Sequence, residues 1–355
     1  MTERKVKAYA ATSATAPLGP YPIKRHQLRD HDVEIDIHYC GVCHSDLHTA
    51  RNDWNWTVYP IVPGHEIIGK VVAVGSKVSH YRLGDTVGVG CMVNSCGHCA
   101  ACDEGFEQHC HTGATYTYGW PDSSEEGGIT QGGYSEKIVV NQNFVLRVPD
   151  TLDMAAAAPL LCAGITTWAP LQEAGIGPGS QVAVVGLGGL GHMAIKLARA
   201  LGAEVTLITR SAGKEADALR LGASKVVLSS DAAQMAAVAN QFHLIVDTVP
   251  YAHDLNPYLP TLSHKGKLVL IGYLGPLEPA LDSVVMIMGG RSVAGSMIGG
   301  IAATQQMLDF CGQHGIGADI ELIRMQDINQ AYERMLASDV KYRFVIDMAS
   351  LRNAG

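Results

Sequence analysis

Short runs that alternate apolar and polar residues mark the first part of the chain. Val33 to Tyr39 (VEIDIHY) predicts a half-buried strand. Glu66 to Val74 and Asp85 to Val89 read the same way, with Gly75-Ser76 and Leu83-Gly84-Asp85 as turn signals between them. This part is mostly β. The pattern changes after Pro149. Gln181 to Val185 is a short apolar run, predicted as a strand, and a glycine-rich turn follows it. Gly189 to Leu201 has helical spacing and is closed by Gly202; Lys214 to Leu221 repeats this and is closed by Gly222. Glu204 to Thr209, Lys225 to Leu228, His243 to Asp247 and Lys267 to Ile271 predict further strands. Strand–helix alternation implies a parallel sheet with right-handed crossovers. Beyond Gly295 the periods weaken. Thr304 to Gly312 and Asp327 to Ser338 read as helices and Arg343 to Asp347 as a strand, in a tail expected to rejoin the first domain.

Composition changes this picture in three ways. A length of 355 residues suits two domains, and 47% hydrophobic against 17% charged residues provides for packed cores. No apolar run reaches the roughly eighteen residues of a membrane span. Met1 to Ala8 is polar and basic without an apolar signal core, so the expected location is cytoplasmic. A net charge of -8 lacks the basic stripe of a nucleic-acid binder. Nine cysteines in a reducing compartment read as thiols, and the clustering of four favours metal binding.

That cluster is Cys96, Cys99, Cys102 and Cys110, spaced C-x2-C-x2-C-x7-C. Four thiolates enclose a tetrahedral zinc and leave no open position, which is the structural kind of site. The alternatives are an iron–sulfur cluster, whose usual spacing fits less well, and unrelated buried thiols. Cys91, Cys40 and Cys311 are read as small core residues. Elsewhere Cys43 lies in CGVCHSDLH, His65 and Glu66 in PGHE, and Cys162 in LLCAG. A Cys–His–Cys set leaves a fourth position for water or substrate, the catalytic kind of zinc site. Spacing does not join these distant positions, and each alone reads as structural.

Gly186-Leu187-Gly188-Gly189-Leu190-Gly191 follows a predicted strand and opens a predicted helix, the setting that gives G-x-G-x-x-G its meaning. Gly186 serves the tight turn, Gly188 lets backbone approach a pyrophosphate, and Gly191 permits close helix–strand packing. The helix start offers free N–H groups to the phosphates. An NAD site usually ends the next strand with an acid. Here it ends Thr209-Arg210-Ser211, with Lys214 beyond, which suits the 2′-phosphate of NADP(H). The bland reading of Arg210 and Lys214 is solvated surface charge.

Together these segments resemble the medium-chain zinc alcohol dehydrogenases, in their cinnamyl alcohol dehydrogenase branch. The resemblance is carried nearly end to end by YCGVCHSDLH, YPIVPGHEIIGKVVAVG, the four-cysteine lobe, QGGYSEKIVV, PLLCAGITTW, VGLGGLGHMAIKLA, AGSMIGG and KYRFVID. It implies an α/β protein. A mostly-β GroES-like catalytic domain would span residues 1–150, completed by 297–355, and a doubly wound Rossmann domain would span 151–296. It implies two zinc ions and NADP(H), with Cys43, His65 and Cys162 on the catalytic zinc and Glu66 beside it. Ser45 would bond the substrate oxygen, His48 would be the outer proton-relay group, and Asp46 would orient His65. Thr166 would lie beside the nicotinamide, which backbone near Ile271 and Ser296 would hold. Gly186, Gly188, Gly189, Leu190 and Gly191 would cradle the phosphates, and Thr209, Arg210, Ser211 and Lys214 the 2′-phosphate. Trp56 and Tyr116 line the substrate pocket in this reading, with ordinary aromatic packing as the alternative.

The implied reaction interconverts aldehydes and primary alcohols, favouring aldehyde reduction, on aromatic, cinnamyl or medium aliphatic substrates. A homodimer formed around Met286 to Met297 is expected, with no nucleic-acid or membrane partner. Competing readings are an NAD-linked zinc alcohol or polyol dehydrogenase, a zinc-free quinone reductase and a zinc-ribbon binding module. The missing acid, the Cys–His–Cys set and the negative charge weigh against them in turn.

Overall fold

The computed structural model describes residues 5–125, 127–272 and 275–352. They form two compact units. One is made by the chain through Cys162 together with the residues from Gly299 onward, the other by Ala163–Ile298.

The first unit is built on a seven-stranded sheet. Its order runs Ile320–Arg324, Arg343–Asp347, Asp32–Gly41, Ile67–Val74, Thr86–Val89 and Leu146–Arg147, with Lys137–Asn141 also paired to Asp32–Gly41. The strand Asp32–Gly41 is the hub. It pairs antiparallel with three neighbours along its length. Its apolar side, Val33, Ile35 and Ile37, is fully buried, as are Ile67, Ile68 and Phe344. Each such side chain contributes about 1.5–3 kcal/mol on burial. The polar side departs from the half-buried expectation, since Asp32 and Glu34 are buried too. Ion pairs make this tolerable: Lys137 Nζ lies 3.0 Å from Glu34, and His26 and Arg29 hold Asp32.

The second unit carries a six-stranded, wholly parallel sheet. Its order is Lys225–Leu228, Glu204–Thr209, Gln181–Val185, Phe242–Asp247, Leu262–Leu270 and Ser292–Gly295. In chain order that is 3-2-1-4-5-6, the doubly wound arrangement, with its switch point beside Gln181–Val185. Val182, Ala183 and Val184 are buried on both faces, which explains a continuous apolar run rather than an alternating one. The helix Gly191–Ala200 packs on this sheet through Met193, Ala194, Ile195, Leu197 and Ala198. The strand predicted from Lys267 begins earlier, at Leu262, because a positive φ at Lys265 and a register shift let the pairing resume. Among the described residues no single helix is long and apolar enough to cross a membrane.

Candidate metal centres and nucleotide edge

Cys43 leaves the hub strand and caps the helix His44–Arg51. The Asp46 carboxylate folds back on that cap and accepts from the Cys43 N–H at 2.8 Å. It also accepts from the Gly64 N–H at 3.0 Å and the Tyr134 hydroxyl at 3.1 Å, and it lies 3.4 Å from His65 Nδ1. Asp46 therefore ties the helix start to the loop that carries His65, and it is wholly buried. Tyr118 Oη also lies 3.2 Å from His65 Nδ1. With Nδ1 engaged, Nε2 is the nitrogen left for a metal.

Cys162 follows the short turn Ala158–Leu161. Donor atoms of Cys43, His65, Glu66 and Cys162 all lie within 4.8 Å of one another, and all four residues are buried. The hydrogen bond from Cys162, more than anything else, holds the Cys43 thiol well below its ordinary range, and the same bond pushes Cys162 up. A metal bound here would displace the thiol protons. Burial pushes the Glu66 carboxyl up to about 8, although the Arg343 guanidinium bonded to its Oε1 pulls the other way. Glu66 Oε2 is buried with no hydrogen-bond partner. An orphaned carboxyl oxygen beside two thiols and an imidazole is a setting that a cation completes, so the residues fit zinc. Space for the carboxylate comes from Gly41, where any Cβ would overlap Glu66.

The second cluster, Cys96, Cys99, Cys102 and Cys110, also has its sulfurs within 4.8 Å of one another. A zinc–sulfur bond near 2.3 Å in a tetrahedron sets sulfur–sulfur edges of about 3.8 Å. The Cys96 and Cys102 sulfurs are 3.9 Å apart. Backbone N–H groups already point at two sulfurs, Cys96 to Cys110 and His111 to Cys99, each at 3.4 Å. The Thr112 hydroxyl and the Cys96 N–H lower the Cys110 thiol to about 6. Those contacts favour thiolates, and four thiolates with no acid, imidazole or open side make a closed zinc site.

In the second unit, the residues expected to hold a nucleotide collect at the carboxyl ends of the parallel strands, where open α/β sheets bind ligands. Gly186 follows Val185 with φ +89°, a conformation that side chains rarely adopt. A Cβ on Gly191 would run into the Gly186 carbonyl, whereas a Cβ on Gly188 would meet nothing within 4 Å. The first glycine makes the turn, the last allows contact, and the middle one leaves open the space a pyrophosphate would fill. That cradle fits a dinucleotide. The helix starts at Gly191 rather than Gly189, so Gly189 and Leu190 belong to the phosphate loop. Thr209 ends the strand Glu204–Thr209, Arg210 and Ser211 follow it, and Lys214 closes the turn Ala212–Lys214. Ile271 and Ser296 follow the ends of the strands Leu262–Leu270 and Ser292–Gly295, where the Ser296 N–H donates to the Leu270 carbonyl at 3.0 Å. Thr166 is buried in the helix Ala163–Glu173.

Around the first metal cluster, Ser45 and His48 share one face of the helix His44–Arg51, and the Cys43 sulfur lies 3.7 Å from Ser45 Oγ. His48 Nδ1 is 2.7 Å from Asp53. Trp56 stacks on Trp54 at 5.7 Å and meets Trp120 edge-on at 5.6 Å, and Tyr116 meets the same Trp120 at 4.7 Å. The two residues expected in a substrate pocket therefore belong to one aromatic cluster. Sequence reasoning missed Arg343 and Tyr118. Arg343 had a faint signal, a lone cation opening an apolar strand. The register Val345↔Gly41, continued two residues, sets it opposite Cys43. Cys91, read as an ordinary core thiol, lies beside Cys162, whose hydrogen bond lowers it.

Comparison with known proteins accords with this geometry. Residues 29–150 match the alcohol dehydrogenase GroES-like domain, and residues 189–313 match the zinc-binding dehydrogenase family. The chain is 52% identical to aldehyde reductase YahK of Escherichia coli, over 98% of this chain and 99% of that protein. A cinnamyl alcohol dehydrogenase from Sorghum bicolor superposes with a TM-score of 0.93 at 46% identity, covering 98% of both chains. The CAD from Helicobacter pylori, solved with NADP(H), superposes with a TM-score of 0.90 at 41% identity, covering 98% of this chain and 99% of that one.

Proposed function

This chain belongs to the zinc-dependent alcohol dehydrogenase family, and we propose that it interconverts aldehydes and primary alcohols with NADP(H), running chiefly as an aldehyde reductase. The observation that carries the reading is the convergence of Cys43, His65 and Cys162, with Glu66, from distant parts of the chain onto one buried point. We read the unit that contains both clusters, through Cys162 and from Gly299 onward, as the catalytic domain, its first segment somewhat longer than the 1–150 expected, and Ala163–Ile298 as the NADP(H)-binding domain. When bound, zinc polarises the carbonyl as a Lewis acid, worth several kcal/mol at the transition state, and NADPH supplies the hydride.

The chain's own residues do the rest. Cys43, His65 and Cys162 hold the metal with one position open, and Asp46 fixes the tautomer and orientation of His65. Glu66, held by Arg343, would keep a carboxyl oxygen within reach of the metal. Ser45 Oγ bonds the substrate oxygen and passes it a proton, and His48, fixed through Nδ1 by Asp53, is the outer proton donor. Cys96, Cys99, Cys102 and Cys110 hold the structural zinc. Arg210 and Lys214 favour NADP(H), with Thr209 and Ser211 supplying neutral donors. Trp56 and Tyr116 offer an aromatic wall suited to aromatic or cinnamyl aldehydes.

The helix Ser283–Gly289 leaves Val284, Ile287 and Met288 exposed, and the strand Ser292–Gly295 that follows it pairs on one side only among the described residues. An apolar patch and an open sheet edge suit a second copy of this chain, so we read the enzyme as a homodimer. Free cysteines throughout suit a cytoplasmic location. The test is metal content alongside activity. Wild-type protein is expected to carry a zinc for each of the two clusters, and Cys162→Ser to lose one together with NADPH-dependent aldehyde reduction. Full activity of Cys162→Ser at reduced zinc content would overturn the assignment.

A further inference from the structure

Arg210 stands just beyond the strand Glu204–Thr209, and its side chain is already placed. Nη2 donates to the Tyr251 hydroxyl at 2.5 Å, and Cζ lies 5.5 Å from the centre of the Tyr251 ring. Tyr251 lies in the loop after the strand Phe242–Asp247, which Gln181–Val185 separates from Glu204–Thr209 in the sheet, so two strand ends meet across the intervening one through this pair. Tyr251 is about half exposed, and the loop beneath it is pinned. His253 Nδ1 lies 2.9 Å from the Tyr251 carbonyl oxygen, and Nε2 lies 3.0 Å from Asp247 Oδ2. His253 thus bonds the Tyr251 backbone through Nδ1 and sets its other nitrogen beside a fully buried carboxylate, which raises the imidazole above its ordinary range. Its ring also meets the Tyr251 ring edge-on at 6.4 Å and that of buried Tyr258 at 6.0 Å. Asp247 pairs in register with Val185, the residue before the phosphate loop.

We propose that Tyr251 is a positioning residue that determines cofactor specificity: it holds the Arg210 guanidinium ready for the 2′-phosphate of NADP(H) and so widens the preference over NAD(H). The proposal rests on the reading of Arg210 as a 2′-phosphate ligand. A guanidinium has five N–H donors, so the single bond to Tyr251 leaves the others for an anion. A free arginine must surrender rotamer entropy to bind, and one already stacked on a ring has surrendered much of it. NADH has no group for this arginine, so the effect of Tyr251 falls on NADPH.

The test is direct binding of NADPH and of NADH to the full-length, zinc-loaded enzyme by titration calorimetry. Wild type is compared with Arg210→Ala, Tyr251→Ala, Tyr251→Phe and the Arg210→Ala/Tyr251→Ala double variant. Tyr251→Ala is expected to raise the NADPH-to-NADH ratio of dissociation constants on the order of tenfold, the size of a lost charged hydrogen bond and cation–π contact. Tyr251→Phe, which keeps the ring, is expected to fall between it and wild type. The double variant is expected to match Arg210→Ala, because Tyr251 acts only through Arg210. Equal weakening of both cofactors by Tyr251→Ala, or additive losses in the double variant, would overturn the proposal. An unchanged ratio in Arg210→Ala would remove the reading of Arg210 itself. A raised ratio in Arg210→Ala with none in Tyr251→Ala would remove the Tyr251 proposal alone.

Discussion

Replacing His26 with Gln should make the protein's stability markedly less dependent on pH. His26 Nδ1 lies 2.7 Å from Glu125 and Nε2 lies 3.1 Å from Asp32, while Arg29 bonds the same Asp32 oxygen at 2.7 Å. These groups line a cavity of about 610 Å³ together with buried Arg25. Burial opposes the charged imidazole, but the bonds to Asp32 and Glu125 outweigh both burial and nearby Arg29, and they raise His26 from 6.5 to about 9. A raised folded-state value means that the stabilisation is complete below pH 6.5 and is lost as the pH climbs through about 9. The 2.5-unit difference between those values corresponds to roughly 3.4 kcal/mol at most. Solvent in the cavity screens the pair, so about 1.5–2 kcal/mol is expected. For a chain of 355 residues that is a gap of about 2–3 °C in Tm between wild type and His26→Gln below pH 6.5. Thermal melts of the zinc-loaded proteins on either side of the titration provide the assay. The gap should close above pH 9. A gap of the same size at both ends would refute the assignment of the imidazolium clasp.

Three further outcomes follow from the same coordinates. Asp32, lowered to about 2 by its bonds to His26 and Arg29 despite burial, contributes stability that is complete above the ordinary 3.8 and is lost as pH falls through about 2, which acid melts should register. Gly41→Ala should push a Cβ into Glu66, which Arg343 holds in place, costing about 1–3 kcal/mol and lowering zinc occupancy of the Cys43 cluster, measurable by denaturant titration and metal analysis. Cys102→Ser should release one zinc and several kcal/mol of stability while hydride transfer in the protein that remains folded persists, because a closed site does no chemistry.

Much of this molecule was legible in the residues. The run Gln181–Val185, its glycine turn and the capped helices after it are local signals, and the observed strands and helices follow them within a residue or two. The four-cysteine lobe was legible because its ligands are close in sequence. The Cys43–His65–Cys162 centre was not legible from spacing, since strand pairing, not chain proximity, brings its members together; the family resemblance supplied it. Arg343 shows the limit most clearly. Its role depends on the register of the strand Arg343–Asp347 against Asp32–Gly41, and no local pattern encodes that register. Tyr118 and Tyr134 were missed for a related reason, because an aromatic residue in a loop declares its size but not the His65 or Asp46 it will meet. Asp32 and Glu34 show the converse, polar positions in an alternating strand that became buried because His26, Arg29 and Lys137 arrive from elsewhere.

The most direct test of the central claim is oxidation of NADPH and of NADH, followed side by side on a panel of aldehydes, with and without a zinc chelator. The account predicts rapid, chelator-sensitive oxidation of NADPH and little of NADH. Turnover that ignores the chelator would contradict the role of Cys43, His65 and Cys162, and a preference for NADH would contradict the reading of Thr209 to Lys214.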